Sequence, residues 1–410
     1  MSPSTSSADL GRLVARVWHP TRDVDGPVVV SHDRPVGRHV VESYAVVPNV
    51  RHPRFLVPVS APQAVHAAFG PFHTTDSSSA RRLGHVLALG SRIPGSEHLL
   101  RRRLYVSVRP DDDARREMLV PTLARALGRE PDEVVAVLPV RRVTPNAKPT
   151  LRLFSRAGDA LGYAKVGWSP ATCAVVDNEV RAVREVAPQL RTLEAPQLLA
   201  EGTLDGQRYA VVAPLPPHVG AWRVDPAEAT GHLLDIAATG QVGESTVAAS
   251  TWAERVRTRI RAVTHAAPDE TTVLLGLLDA LARHDEVVRF GRWHGDWVPW
   301  NVGQVGGRLV VWDWEYSDPD VPVGLDLLHW HFQQALPRTG TLPGAQQALD
   351  AATPTLAALG VPATQWSLVS AAYLLEMFLR ATELAAAGSG WNPRIHPAML
   401  DMTREVTARL

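Results

Sequence analysis

Three polar residues stand together in an otherwise apolar part of the chain. Asp296 and Asn301 lie in Trp293-His294-Gly295-Asp296-Trp297-Val298-Pro299-Trp300-Asn301, and Asp313 lies in the run Leu309-Val310-Val311-Trp312-Asp313-Trp314-Glu315. Asn301 follows Asp296 by five residues, and Asp313 follows it by 17, at the end of an apolar segment read as a strand. Carboxylate and amide oxygens are the donors that a hard cation such as Mg²⁺ takes. Phosphoryl transfer asks for that set: a carboxylate that orients a hydroxyl and accepts its proton, beside oxygen ligands that hold Mg²⁺ against phosphates. A loop carrying Asp and Asn, followed by a hairpin that delivers a second Asp, is the order in which kinases present these groups. The competing reading is a capped turn whose buried polar groups satisfy one another.

Such residues need a frame. Val134–Val143 is rich in β-branched residues, the turn-forming loop Thr144–Pro149 follows, then Leu151–Phe154, a turn at Ala157-Gly158-Asp159, and Gly162–Gly167. This pattern predicts three strands joined by hairpins. Ser169-Pro170 opens a helix, with Pro at its first position, and Pro188 stops it near Ala187. Two more strands are predicted at Gln197–Gly202 and Arg208–Ala213, and Pro214-Leu215-Pro216-Pro217 reads as a linker. Beyond it the chain is mostly helical. Asp225-Pro226-Ala227-Glu228 and Thr251-Trp252-Ala253-Glu254 have the form of capping boxes. Helices are expected over Thr271–His284, Leu325–Gln334, Ala345–Leu359, Gln365–Ala387 and His396–Leu410, interrupted by a non-helical island at Arg289–Pro322.

With these elements in place, the motif His294-Gly295-Asp296, four residues, Asn301, then Trp312-Asp313-Trp314-Glu315 closely resembles the aminoglycoside phosphotransferase and choline kinase superfamily. The likeness spans about residues 134 to 400. It implies an α+β, bilobal protein-kinase-like fold with a small, mainly β lobe carrying one helix and a large, mainly α lobe. It implies Asp296 as catalytic base and Asn301 and Asp313 as Mg²⁺ ligands. Asp326, in Gly324-Leu325-Asp326-Leu327, matches the family's Asp-Leu pair at a helix start and is expected to brace the catalytic loop. Lys165, on the third strand, and Glu179, 14 residues later on the following helix, would position the nucleotide phosphates. Val211–Leu215 would be the hinge whose backbone, at Ala213 and Leu215, meets the adenine. The implied ligands are ATP or another nucleoside triphosphate, with Mg²⁺. The implied acceptor is a small-molecule hydroxyl on a sugar, an amino sugar or an aminoglycoside-like natural product.

The domain boundaries follow: residues 1–130 of unknown role, a kinase-like small lobe at 131–213, a hinge at 214–217 and a helical lobe at 218–410. The first 130 residues form an extra N-terminal α/β region, either a separate small domain or an elaboration of the next lobe. They contain β-like runs at Val40–Val47 and Phe55–Val59, helical stretches at Ala61–Phe69 and Asp112–Leu127, and a polar loop at Thr74–Ser79. The acidic Asp111, Asp112 and Asp113 suit a helix start, and Pro121 is expected to kink that helix.

Composition narrows the function classes. The chain has 410 residues, zero formal net charge and 45% hydrophobic residues. No global field draws it to nucleic acid or an anionic membrane. The single cysteine, Cys173, allows no internal disulfide and fits a reducing, cytoplasmic setting. The polar N-terminus and the absence of a long apolar run predict neither export nor a membrane span. No Walker A or Gly-x-Ser-x-Gly motif occurs.

Several residues have modest readings. His294 is expected to brace its loop by hydrogen bonds, and Trp312 and Trp314 to pack the hairpin. His329 and His331, two apart on a helix and so on different faces, are read as packing or pocket-lining residues rather than metal ligands. Glu315, Asp318 and Asp320 form either an acidic wall for an amine-bearing substrate or, at Asp318-Pro319, a simple turn. Gly295 and the short interval from Asp313 to Asp326 speak against a protein kinase. The remaining alternative is a catalytically inactive kinase-fold binding protein.

Overall fold

The structure, a computed structural model, describes residues 5–19, 26–69, 102–110, 118–141, 147–216, 218–222, 229–389 and 396–410. It divides into two compact units, one of residues 1–180 and 196–220 and the other of residues 181–195 and 221–410.

The first unit is built on one antiparallel sheet. Its strands are β1 (Val28–Ser31), β2 (His39–Val47), β3 (Phe55–Pro58), β4 (Arg103–Val108), β5 (Val134–Pro139), β6 (Thr150–Ser155) and β7 (Ala160–Gly167). The chain then forms β8 (Leu193–Glu194), which belongs to the second unit, and returns as β9 (Leu198–Leu204) and β10 (Gln207–Val212). The nine-stranded order is β1-β4-β2-β3-β5-β6-β7-β10-β9. The join between its halves is β3 against β5, with Phe55 opposite Pro139 and Leu56 opposite Leu138. Strands β1 to β4 therefore extend the same sheet that carries β5, β6, β7, β9 and β10.

That sheet is buried on both faces, which explains the unbroken apolar run in β5. Val134, Ala136 and Leu138 pack with Leu10 and Leu13 of the helix Ser7–Trp18 and with Leu119 and Leu123 of the helix Leu119–Ala126. The alternate residues Val135 and Val137 pack on the other face with Ala64, Val65 and Phe69, in and just after the helix Pro62–Ala68. Side chains one apart on a strand face opposite ways, so each helix layer takes its own half of β5.

The helix Pro170–Val186 begins where the Ser169-Pro170 signal places it. The Thr172 hydroxyl accepts from the amides of Trp168 and Ser169, at 2.9 Å each, and caps the first turn. Val176 and Val180 pack this helix against Ala210 of β10.

Past β11 (Gly220–Ala221), the second unit is mostly helical, with helices at Thr230–Ala238, Thr251–Ala262, Pro268–Leu281, Leu325–Thr339, Leu342–Ala352, Trp366–Leu384 and His396–Arg409. Its other strands are β12 (Gly243–Ser245), β13 (Val288–Trp293), β14 (Val302–Val305), β15 (Arg308–Val311) and β16 (Asp318–Pro322). β13 pairs antiparallel with β12 and β16, β14 with β15, and β8 runs parallel to β15. A β-rich unit with, among the described residues, one long helix directly after the lysine-bearing strand β7, followed by a helical unit holding a short loop and a hairpin, is the bilobal α+β, protein-kinase-like architecture. Among the described residues, no helix is long and apolar enough to cross a membrane.

The structure corrects several local expectations. The cap at Thr251–Glu254 belongs to Ser250, whose hydroxyl accepts from the Ala253 amide at 3.1 Å, one residue earlier than the box pattern places it. Pro121 lies in the first turn of Leu119–Ala126, where a proline costs no intrahelical hydrogen bond, so it produces no mid-helix kink. The helix expected to reach Leu359 ends at Ala352 and continues as a 3₁₀ segment, Thr353–Leu359, with Pro354 in its first turn. The loop Thr74–Ser79, residues 111–113 and the box at residues 225–228 lie outside the described residues, as do Asn146 and Pro217.

Candidate active site

In the first unit, Lys165 sits on β7 between Thr150 of β6 and Ala210 of β10. Its Nζ lies 2.7 Å from Glu179 Oε1 and 2.6 Å from Oε2, on the helix Pro170–Val186. The lysine side chain is 12% exposed and the glutamate 3%. Packing of Val176 and Val180 on Ala210 holds the helix against the strand beside Lys165 and brings the pair together. Ala213 follows β10. Its amide donates to the Gln197 carbonyl at 2.7 Å, so its carbonyl, not its N–H, is the group left for a ligand edge there. Leu215, two residues on, is half-buried.

In the second unit, β13 leads into the loop His294–Asn301, and a register shift between Gly291 and Trp293 bends the strand as it enters. Gly295 has φ +81, and an added Cβ would run into the Tyr316 backbone. Asp326, at the start of the helix Leu325–Thr339, accepts from the His294 amide at 2.6 Å and the Gly295 amide at 3.0 Å. This is the bracing expected of it. Burial raises the Asp326 carboxyl to about 7, against the two amide hydrogen bonds that favour its ionised form.

The His294 ring is fully buried and ties the loop to the hairpin. Nδ1 accepts from the Asp296 amide at 3.2 Å, and Nε2 lies 3.1 Å from the Trp312 carbonyl. An acceptor role at Nδ1 requires the proton on Nε2, so the ring is neutral. Burial holds its pKa down at about 4, opposed by the charges of Asp296 and Asp313.

The hairpin register sets where Asn301 and Asp313 stand along the two strands. Gly306 and Gly307, with φ +56 and +82, make a two-residue turn of the type that pairs strands tightly. That turn sets Val302 opposite Val311. The next rung is Asn301 opposite Trp312, whose amide donates to the Asn301 carbonyl at 3.1 Å. Asp313 is the following residue and takes a left-handed conformation, φ +73, which Asp tolerates better than most side chains.

Asp296 is gripped at both oxygens. Asn301 Nδ2 donates to Oδ2 at 2.8 Å and to the Asp296 backbone carbonyl at 3.1 Å. His329 Nε2 lies 3.1 Å from Oδ1. Burial is the largest single influence and raises this carboxyl, but the hydrogen bond and electrostatic pull of His329, with the pull of His294, together outweigh it, and the group sits below the usual carboxylate range despite the upward push of Asp313. Because Asn301 spends its NH₂ on Asp296, its amide oxygen is the atom left to face a cation. The Asn301 amide oxygen and the Asp313 carboxylate are both hard donors of the type that oxygen-seeking divalent cations take.

Three residues near the loop were not tied to it by the sequence, His329 being read only as packing or pocket lining. His329 contacts Asp296, Tyr373 contacts His329 at 3.2 Å, and Arg380 donates to the Gly295 carbonyl at 2.8 Å while stacking over Tyr316 and Trp293. For His329 a signal was present: it lies one turn after Asp326 on the same helix, hence on the same face. Of the acidic trio, Asp318 and Asp320 are engaged by Arg255, at 2.7 and 2.8 Å, and Asp318 begins β16 rather than a turn. They therefore form no open acidic wall. Trp297 and Val298 are buried in the loop, while Trp300 is 44% exposed.

No protein-family model and no curated protein matches the chain. Among solved structures it is similar to an ethanolamine kinase from Plasmodium vivax, with 10% identity over 74% of this chain and 90% of that one, at a TM-score of 0.43. It is also similar to an amicoumacin kinase in complex with AMP-PNP and Ca²⁺, with 12% identity over 68% and 89% of the two chains and a TM-score of 0.41. A glucosamine kinase in complex with glucosamine, ADP and inorganic phosphate shows 16% identity over 71% and 85%, with a TM-score of 0.34.

Proposed function

We propose that this chain is a small-molecule kinase of the aminoglycoside phosphotransferase and choline kinase type. It moves the γ-phosphoryl group of ATP, or another nucleoside triphosphate, to a hydroxyl of a small acceptor such as a sugar, an amino sugar or an aminoglycoside-like natural product. The observation that carries this reading is the grip on Asp296: an ionised carboxylate with both oxygens held by neutral donors, one of them Asn301, whose hairpin partner Trp312 immediately precedes Asp313.

In this reading Asp296 orients the acceptor hydroxyl and takes its proton as the oxygen attacks phosphorus. Asn301 Oδ1 and the Asp313 carboxylate hold Mg²⁺. A bound Mg²⁺ offsets charge on the phosphate oxygens. Lys165, fixed by Glu179, contacts the nucleotide phosphates, and the Ala213 carbonyl and Leu215 amide meet the edge of the base. The buried Trp297 and Val298 keep water from the back of the loop. The proposed setting is cytoplasmic, with neither nucleic acid nor membrane as partner.

A panel of hydroxylated sugars, amino sugars and aminoglycosides, incubated with Mg²⁺–ATP and scored by ADP release, tests the reading. At least one acceptor should raise ADP release in the wild type. Asp296→Ala should lower that rate by about 10²- to 10⁴-fold, as loss of a general base does, with nucleotide affinity retained. Wild-type turnover in Asp296→Ala would remove Asp296 as the base.

A further inference from the structure

We infer that His329, backed by Tyr373, is a positioning residue that fixes the direction of the Asp296 carboxylate. The inference rests on the reading of Asp296 as the base and adds the device that aims it.

His329 is 1% exposed and Tyr373 is fully buried, so neither exchanges its hydrogen bonds with solvent. His329 lies on Leu325–Thr339 one turn after Asp326. One helix face therefore holds the loop backbone through Asp326 and the loop carboxylate through His329. The Nε2 atom of His329 is 3.1 Å from Asp296 Oδ1. A carboxylate only accepts, so Nε2 must carry the proton. Burial lowers the pKa of this ring, against the hydrogen bond and charge of Asp296, and leaves it neutral. In a neutral ring with Nε2–H, Nδ1 is a bare acceptor. The Tyr373 hydroxyl, 3.2 Å away, donates to it. Asp296 thereby selects the tautomer, the Tyr373 hydroxyl satisfies the bare Nδ1 that results, and Phe332, edge-on at 5.7 Å, packs the phenol in place. The titratable and charged groups acting on His329 are Asp296, Tyr373, Arg380 and His294.

The second oxygen of Asp296 is held by Asn301 at 2.8 Å. Rotation of the carboxylate about its Cβ–Cγ bond breaks both bonds together. Its remaining lone pairs therefore point in fixed directions, and an acceptor hydroxyl meets them without first paying to order the base. His329 does not itself take the substrate proton, because Nε2 is already protonated. The proton passes from the acceptor oxygen to Asp296, and His329 only holds the carboxylate that receives it.

The experiment uses the full chain and two readouts. Ring ¹⁵N chemical shifts of labelled protein at pH 7 report the tautomer directly, independent of activity. A single neutral Nε2–H signature for His329 is expected, and Asp296→Ala, which removes the acceptor that fixes it, should mix the two tautomers. A cationic or Nδ1–H ring in the wild type overturns the inference. The second readout is ADP release from Mg²⁺–ATP, with water as acceptor probe. Loss of one buried hydrogen bond to a charged group predicts about a 10- to 100-fold fall in kcat for His329→Leu. The nucleotide KM should stay within about twofold, because the base acts on the acceptor. His329→Gln, whose amide reaches toward the Nε2 position, should recover part of the loss. Thermal melting separates misfolding from misaiming, and the spectrum of the wild type stands even where His329→Leu fails to fold. An inactive Asp296→Ala beside a fully active His329→Leu would discard the inference and keep the base. An active Asp296→Ala would instead discard the reading on which it rests.

Discussion

Phenylalanine at position 294 would keep the volume of the buried ring and remove both of its hydrogen bonds. His294→Phe strands the Asp296 amide and the Trp312 carbonyl, whose present bonds to the ring are 3.2 and 3.1 Å. Two buried polar groups left in this way predict a loss of about 2–4 kcal/mol at pH 7. The pH dependence is a sharper signature. The folded-state pKa of His294 is depressed to about 4 from a reference of 6.5, because the ring is buried and Nδ1 must stay unprotonated to accept the Asp296 amide. The unfolded chain thus binds the proton more readily. The stability that depends on this group is fully present above pH 6.5 and is lost as the pH falls toward 4. The gap between those values converts to about 3 kcal/mol. The phenylalanine variant has no such group. Urea denaturation followed by tryptophan fluorescence, run on both proteins from pH 7 to pH 4, should show their difference shrink by about that amount. Asp326 titrates over an overlapping range with the opposite sign, since burial raises its carboxyl to about 7, but it is present in both proteins and cancels in the difference. A gap that stays constant across the range would refute the buried, neutral His294 link between loop and hairpin.

Other substitutions probe the remaining contacts. Gly295→Ala places a side chain at φ +81 and against the Tyr316 backbone, so a loss of at least about 2 kcal/mol is expected, read as a fall in Tm. Lys165→Met should lower kcat/KM for nucleotide by about 10- to 100-fold through loss of a charged contact. Adding Glu179→Gln should restore part of the lost Tm without restoring turnover, because the glutamate is 3% exposed in its pair with Lys165. Arg259→Met deprives Glu376, 4% exposed, of its 2.8 Å ion pair, and should destabilise the second unit by about 3 kcal/mol in chemical denaturation. Trp252 would remain as the donor to Glu376, at 2.8 Å.

Much of this was legible in the residues, and the limits have physical causes. Asp296, Asn301 and Asp313 stand out because they are polar in apolar surroundings, and the Gly306-Gly307 turn fixes the hairpin register that brings Asn301 level with Trp312. The start of the helix Pro170–Val186 was readable because its cap is local. The pairing of β3 with β5 was not, since about 80 residues separate the two strands and alternation shows that a strand exists without naming its neighbour. The same limit hid the ties of Arg255 to Asp318 and Asp320, which span more than 60 residues. His329 looked like core because it sits in the apolar helix Leu325–Thr339. Only its spacing from Asp326 pointed toward the loop, and a packing or pocket-lining histidine in an apolar helix names no partner. Ser250 displaced Thr251 as the cap because hydroxyl residues stand at both positions, and the pattern alone does not choose between them.

The most direct test is calorimetric titration of a non-hydrolysable ATP analogue into the full chain, with and without Mg²⁺, for the wild type, Asn301→Ala and Asp313→Ala. The account predicts binding that Mg²⁺ strengthens in the wild type, and loss of that Mg²⁺ dependence in both variants. Absence of nucleotide binding in the wild type, or an equal response to Mg²⁺ in all three proteins, would contradict it.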